Sequence, residues 1–214
     1  RQWSRGLGDV YKRQSIIYIS FFLWYTNLGG KLTSEEIDFF SKKMFENQSE
    51  TSNMNEDTRT VFLDFMKNDT GNQFIMVNVI KLNDDPPNVK GANPGEDAVS
   101  LIGRYMEFMY PELLMRASHP IFAGSSVGKV MDKAGIEGLD NWDRAALMRY
   151  KSRRALMEIV INPEMTGRHD FKIAAIKHTL AYPVEVQLNP ADPRGIFLLI
   201  LVILGLIIQL RLKK

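Results

Sequence analysis

The chain has 214 residues, 27 Lys and Arg against 25 Asp and Glu, a formal net charge of +2 and no cysteine. Near-neutral charge with scattered cations excludes a nucleic-acid footprint, and the missing cysteine excludes disulfides, thiolate catalysis and Cys-ligated metals. The histidines His119, His169 and His178 stand too far apart for a helical ligand pair, so neither a metal site nor a cofactor is expected.

Residues 1–14 precede any patterned segment. The string SRGLGDVYKRQ within them matches a translated transposase sequencing adapter. It is set aside from the functional reading, and a bacterial, metagenomic source is expected. Residues 15–30 contain the apolar run IIYISFFLWY, too short to span a bilayer alone and read as a truncated membrane segment, the alternative being the h-region of a signal peptide. Trp24 and Tyr25 at its end suit an interfacial aromatic belt.

Residues 31–71 are expected to form a helical collar. Thr33 with Glu36 makes a capping box, and Ile37, Phe40 and Met44 recur at helical spacing. Residues 47–56 are polar and read as a loop. A second amphipathic helix sets Val61, Phe62, Phe65 and Met66 on one face and closes at the Asn68-Asp69-Thr70-Gly71 turn.

The organised domain, residues 72–190, begins with FIMVNVIKL at Phe74–Leu82, a β-branched run apolar on both parities and expected to be a strand covered on both faces. A proline-rich loop leads to a helix over Ala98–Met115, with Leu101, Tyr105, Phe108 and Met109 in register and Pro111 expected to kink or end it. Residues 120–133 read as a bending strand, 135–141 as a turn and Arg144–Tyr150 as a further strand. Ser152 caps a short helix, and Asn162-Pro163 opens the next. Residues 180–188 (LAYPVEVQL) alternate as a strand, which Pro183 confines to an edge. The order is strand, helix, strand, strand, helix, strand: an α+β, ferredoxin-like split βαβ unit with a four-stranded antiparallel sheet. Helices on one face leave the other bare, and a second copy of the chain would cover it.

The chain ends, over 194–214, with a transmembrane helix and a basic tail. Residues 195–210 read GIFLLILVILGLIIQL, without a charge, and at 1.5 Å per residue span about 24 Å against a hydrocarbon core of about 30 Å. The bilayer is therefore an expected partner, with inner or plasma membrane as the location. Arg211, Lys213 and Lys214 form the denser cationic flank, which favours the tail in the cytoplasm and the folded domain on the extracytoplasmic side; the competing reading is a tail anchor with a cytoplasmic domain.

Asn78 is the polar side chain in the middle of the first strand. It either orients a ligand carbonyl or pairs with neighbouring backbone. His169 shares a helical face with Met165, Ile173 and Ile176 and is either an acid/base group or a satisfied core histidine. Trp142 and Arg149 are placed near one sheet edge, where Arg149 either grips a ligand carboxylate or pairs with Glu158 or Glu164. Tyr105 and Tyr182 are expected to line the same cleft, and Arg153 and Arg154 to form a solvated face. The glycines around Ser125 and Ser126 lack the ending of a phosphate loop.

Together, MVNVIK in the first strand, WDRAALMRY at 142–150 and the following KSRRALMEIVINPEM resemble the dimeric α+β barrel superfamily, closest to small bacterial domains of unknown function related to EthD-like and antibiotic-biosynthesis monooxygenase-like domains. The likeness covers about 72–188. It implies a homodimer with a cleft between each sheet and its helices, in a superfamily hosting cofactor-free oxygenases, isomerases, haem enzymes and proteins of no known activity. Three functions are expected from it. The cleft binds a small, mostly apolar or aromatic ligand; or it is a cofactor-free oxygenase or isomerase using His169 and Asn78; or the domain is a structural dimerisation module.

Overall fold

A computed structural model describes residues 2–46, 56–135 and 137–212. Most of the polar segment 47–56, and with it Lys213 and Lys214 of the basic tail, lie outside the described residues. The chain divides into two compact units, residues 29–185 and a unit of the two chain ends.

The first unit is built on four strands: β1 (Phe74–Leu82), β2 (His119–Ser125), β3 (Arg144–Tyr150) and β4 (Ile176–Glu185). They form one sheet in the order β2-β3-β1-β4, antiparallel at every pairing. The β-branched β1 takes an interior place, where both edges of its backbone are paired. β4 lies at the edge, which accommodates the missing N–H of Pro183. Two strand boundaries differ from expectation. β2 stops at Ser125, paired with Arg144 at the start of β3, because beyond it β3 offers no partner. The remainder, through Val127 and Met131, is irregular and fully exposed. β4 starts at Ile176 and ends at Glu185 because β1 templates it along its whole length, and Leu188 lies beyond the strand.

Helix α2 (Ser34–Glu46) carries the expected capping box: Glu36 N donates to Thr33 Oγ1 at 3.2 Å and Thr33 N to Glu36 Oε2 at 2.9 Å. Helix α3 is Glu56–Lys67. Phe40 and Met44 of α2 and Met66 of α3 pack with Leu32 and Met157, so both helices share a core with the sheet-bearing unit; Val61 points outward instead. Helix α4 (Ala98–Met115) is capped by Asp97, which accepts from Ser100 N at 2.7 Å. It continues through Pro111, because Glu107, Tyr110 and Pro111 all face solvent, where water can satisfy the carbonyl that proline deprives of its donor. Its end is a Schellman turn, with Ser118 N on Leu113 O at 2.8 Å, Ala117 N on Leu114 O at 3.0 Å, and Ala117 left-handed at φ 49°.

Helix α5 (Arg153–Val160) starts at Ser152, whose Oγ accepts from Ala155 N at 3.1 Å, and α6 (Pro163–Ala175) at Asn162. Helix α6 then passes into β4 without a loop. Asn83 holds that junction, its N donating to Ala175 O at 2.9 Å and its Nδ2 to Ala174 O at 3.2 Å.

Arg153 and Arg154 do not form a solvated face. Arg154 forks onto both oxygens of Glu36, at 2.6 and 2.8 Å, and holds its carboxyl down at about 2. Arg153 lies over the Phe65 ring and reaches Asp69 and Glu185. These arginines bind α5 to α2, to the turn after α3 and to the end of β4.

Strand alternation sorts the sheet into two faces. Phe74, Met76 and Leu82 of β1 belong to clusters with Phe108, Met109 and Leu113 of α4, Leu156 and Ile159 of α5, and Phe171 of α6. The opposite face carries Ile75, Val77 and Val79 beside Leu147 of β3 and Leu180, Tyr182 and Val184 of β4. β1 is thus covered by helices on one side only.

The other unit pairs α1 (Gln2–Tyr25) with α7 (Pro193–Leu212). The apolar stretch at 16–25 is continuous with the preceding residues as one helix. Phe21 and Phe197 meet at 4.9 Å between ring centroids, Gln14 Nε2 donates to Leu201 O at 3.0 Å, and Tyr11 Oη to Gln209 Oε1 at 3.3 Å. A Cβ at Gly205 would stand 3.0 Å from Gln14 Oε1, so the missing side chain permits this approach. Among the described residues one helix is long and apolar enough to cross a membrane: Pro193–Arg211, with mean hydropathy 2.3.

Candidate functional site

The helix-facing side of the sheet is where polar groups meet a sulfur-rich lining. Met76 of β1, Met148 of β3, Met106 of α4 and Met165 of α6 all pack around the main cluster, half-buried. Methionine offers a flexible, polarisable surface, a type favoured where a site must adapt to an apolar occupant. Asn78 stands on this face, in register with Ala146 of β3 and Ala181 of β4. Two methyls flanking one amide leave its side chain unobstructed from either neighbouring strand. Its Nδ2 donates to Met76 O at 3.0 Å and Ala146 O at 3.3 Å, and neither bond uses the side-chain oxygen.

Tyr105, in the middle of α4, packs against both clusters that line this face. The His169 ring of α6 meets it edge to face at 6.3 Å between centroids. Burial pushes the Tyr105 hydroxyl well above its ordinary value, so it stays protonated. Burial, reinforced by the charge of Lys172, pushes His169 down to about 4, and Asp170 opposes this weakly. His169 is therefore a neutral imidazole at neutral pH, with one nitrogen able to donate and the other to accept.

The residues sharing His169's surroundings differ from those read off the sequence. Ile173 is exposed, and Ile176 has left the helix for β4. The neighbour that sequence reasoning missed is Lys172, one helical turn on. Its Nζ stands over the Tyr105 ring, 5.7 Å from the centroid. Desolvation lowers its pKa. The spacing Met165, His169, Lys172 carried the signal, but a lysine between Phe171 and Ile173 reads as a solvated residue until α4 is known to lie across it.

The other sequence-derived candidates fall elsewhere. Tyr182 is opposite Val77, so it lies on the bare face and does not share a cleft with Tyr105; it is 51% exposed. Trp142 and Arg149 flank opposite ends of β3, which is an interior strand, so they do not meet at a sheet edge. Asp143, next to Trp142, accepts from Lys81 Nζ at 2.9 Å and Leu82 N at 2.7 Å and fastens the end of β1. Arg149 is 3% exposed; its guanidinium donates to Gln73 Oε1 at 2.9 and 2.7 Å and to Ala117 O. Glu158, one of the partners expected for it, is engaged by Arg116 at 2.9 Å. Arg149 thus fastens the helix turn at Ala117 to the sheet. Asn78, Tyr105 and His169 are the expected residues that the fold gathers in one layer.

No family model matches the chain, and no curated protein matches it. Among solved structures it is similar to methylated RPA0582 protein, with a TM-score of 0.51 and 18% identity over 62% of this chain and 93% of that one. A crystal structure of RPA0582 as a protein of unknown function from Rhodopseudomonas palustris gives a TM-score of 0.49 and 20% identity, covering 61% and 94%. The first of these likenesses supports an α+β sheet fold and nothing beyond the fold.

Proposed function

We propose that the chain is a membrane-anchored, ferredoxin-like dimeric α+β barrel whose cleft, between the sheet and helices α4 and α6, binds a small, mostly apolar molecule. The observation that carries this reading is the meeting of Tyr105 and His169 beside a methionine-rich cluster on the helix-covered face of the sheet, the face on which Asn78 also stands. The sheet order β2-β3-β1-β4 with helices on one side supports the ferredoxin-like assignment. The bare face of Val77, Leu147, Leu180 and Tyr182 supports a second copy as its cover, as in EthD-like and antibiotic-biosynthesis monooxygenase-like domains. The hydropathy of Pro193–Arg211 supports the anchor; the cations Arg211, Lys213 and Lys214 in the sequence favour the extracytoplasmic side for the folded unit.

A second reading is favoured by the neutral His169. An imidazole in its unprotonated form beside a protonated tyrosine offers a proton acceptor, a weak one at a pKa of about 4, for a cofactor-free oxygenase or isomerase acting on an aromatic or carbonyl compound. Native mass spectrometry of the full chain released from detergent micelles tests the primary reading. A dimer carrying a co-purified small molecule is expected. A clean monomer would remove the barrel, and an empty dimer would move the weight to catalysis or to a purely structural pairing of membrane helices.

A further inference from the structure

Lys172 is the group in the cleft for which neither reading has a use. It lies on α6 among Phe171, Ala174 and Ala175, all buried, with its ammonium facing the Tyr105 ring. Among the described residues no carboxylate lies within 4.0 Å of Nζ. Several other cations of the unit are paired with carboxylates: Lys81 with Asp143, Arg104 with Glu96, Arg116 with Glu112, and Arg154 with Glu36. The titratable groups around Lys172 are Tyr105 on α4 and His169 and Asp170 on its own helix. Tyr105 is protonated and His169 neutral, and Asp170, the nearby carboxylate, forms no ion pair with Lys172 within 4.0 Å. Half-burying a cation without a paired counterion is costly, and a ring face recovers only part of that cost. A ligand bearing the missing charge would recover the rest.

From this juxtaposition we propose that the cleft is built for a monocarboxylate with an apolar body, its carboxylate held by Lys172 with His169 as a hydrogen-bond donor beside it, and its body against Met76, Met106, Met148 and Tyr105. The proposal rests on the cleft reading above and adds the ligand's charge to it. One lysine and one neutral imidazole supply a single positive charge, which fits one carboxylate and not a phosphate ester carrying two. Asn78, on the sheet side, is then left to read a carbonyl or hydroxyl on the apolar body.

The test is calorimetry on the full chain in detergent micelles at pH 7.5, with two acid and alcohol pairs: 1-naphthoate with 1-naphthalenemethanol, and decanoate with decanol. The expected result is that one acid binds about tenfold or more tightly than its own alcohol. The aromatic pair responding indicates a soluble aromatic acid, and the aliphatic pair a fatty acid taken from the bilayer. Lys172→Met is expected to abolish the acid preference while leaving the alcohol's affinity unchanged, and Lys172→Arg to retain a preference. Equal binding of acid and alcohol by the unmodified chain overturns the carboxylate assignment and leaves the apolar cleft standing. An acid preference that survives in Lys172→Met overturns it as well. Absence of binding by all four compounds overturns the cleft reading and this proposal together. The acid-against-alcohol comparison needs no variant, so the assignment stays falsifiable even where Lys172→Met fails to fold.

Discussion

Residue 169 shows how surroundings, not residue type, decide what a histidine does. Desolvation between α4 and α6 and the nearby Lys172 charge hold its folded-state pKa at about 4, below the ordinary 6.5 of an unfolded chain. Between those values the unfolded chain takes up a proton that the folded chain refuses. Stability from this group is therefore complete above pH 6.5 and declines as pH falls toward 4. The expected loss is on the order of 2 kcal/mol, and His169→Gln should flatten that part of the profile. Denaturant midpoints of both chains at pH 4.5 and 7.5 check it: equal pH dependence would mean that His169 is not desolvated. Arg149 teaches the complementary lesson. Its residue type announced ligand recognition, but a glutamine just before β1 and a helix-terminal carbonyl occupy its guanidinium. Neither partner can be found from spacing, because the fold alone brings 73 and 117 to 149.

Elements whose limits depend on local chemistry were legible before the structure. β1 and β3 fall where their apolar runs lie, and α2, α5 and α6 begin at Thr33, Ser152 and Asn162, residues whose side chains cap the exposed N–H groups of a first turn. Elements whose limits depend on pairing were not. β2 ends where β3 has nothing left to offer, and β4 begins where β1 first reaches it, neither of which has a local signature. The same division applies to the site. Asn78 was visible as a lone polar residue in an apolar strand, whereas Lys172 acquires its meaning from α4 crossing above it. The short α5 depends strongly on its cap. Ser152→Ala should cost about 1 kcal/mol, and Ser152→Gly only a few tenths, read as shifts of denaturant midpoint at unchanged slope. No loss in either variant would show that the hydroxyl cap contributes nothing.

For the molecule as a whole, the uncovered sheet face is the surface on which the proposed assembly turns. Phe122, Leu180 and Tyr182 are each close to half exposed there, beside Val77 and Leu147. With a second copy on this face, Val77→Lys would bury an ammonium at its centre. The dimer dissociation constant should then rise on the order of 100-fold or more, while the far-ultraviolet circular dichroism stays that of the folded unit. Analytical ultracentrifugation in density-matched detergent reads the change. A Val77→Lys chain that sediments as the parent does would place the partner surface elsewhere.

The seamless passage from α6 into β4 has a mechanical consequence. His169 and Lys172 ride on the helix, and Leu180, Tyr182 and Val184 on the strand that continues it, with Asn83 clasping the joint between them. No flexible segment intervenes to absorb a displacement. A compound that shifts α6 must also shift the edge strand, and a subunit docking on that strand must in turn press on the ligand-bearing helix. If the proposed ligand and second copy both bind, occupancy and assembly are thermodynamically linked through this joint, each changing the other by the same factor. Measuring the dimer dissociation constant with and without a bound carboxylate reads this linkage directly, and an unchanged constant would mean that the joint bends.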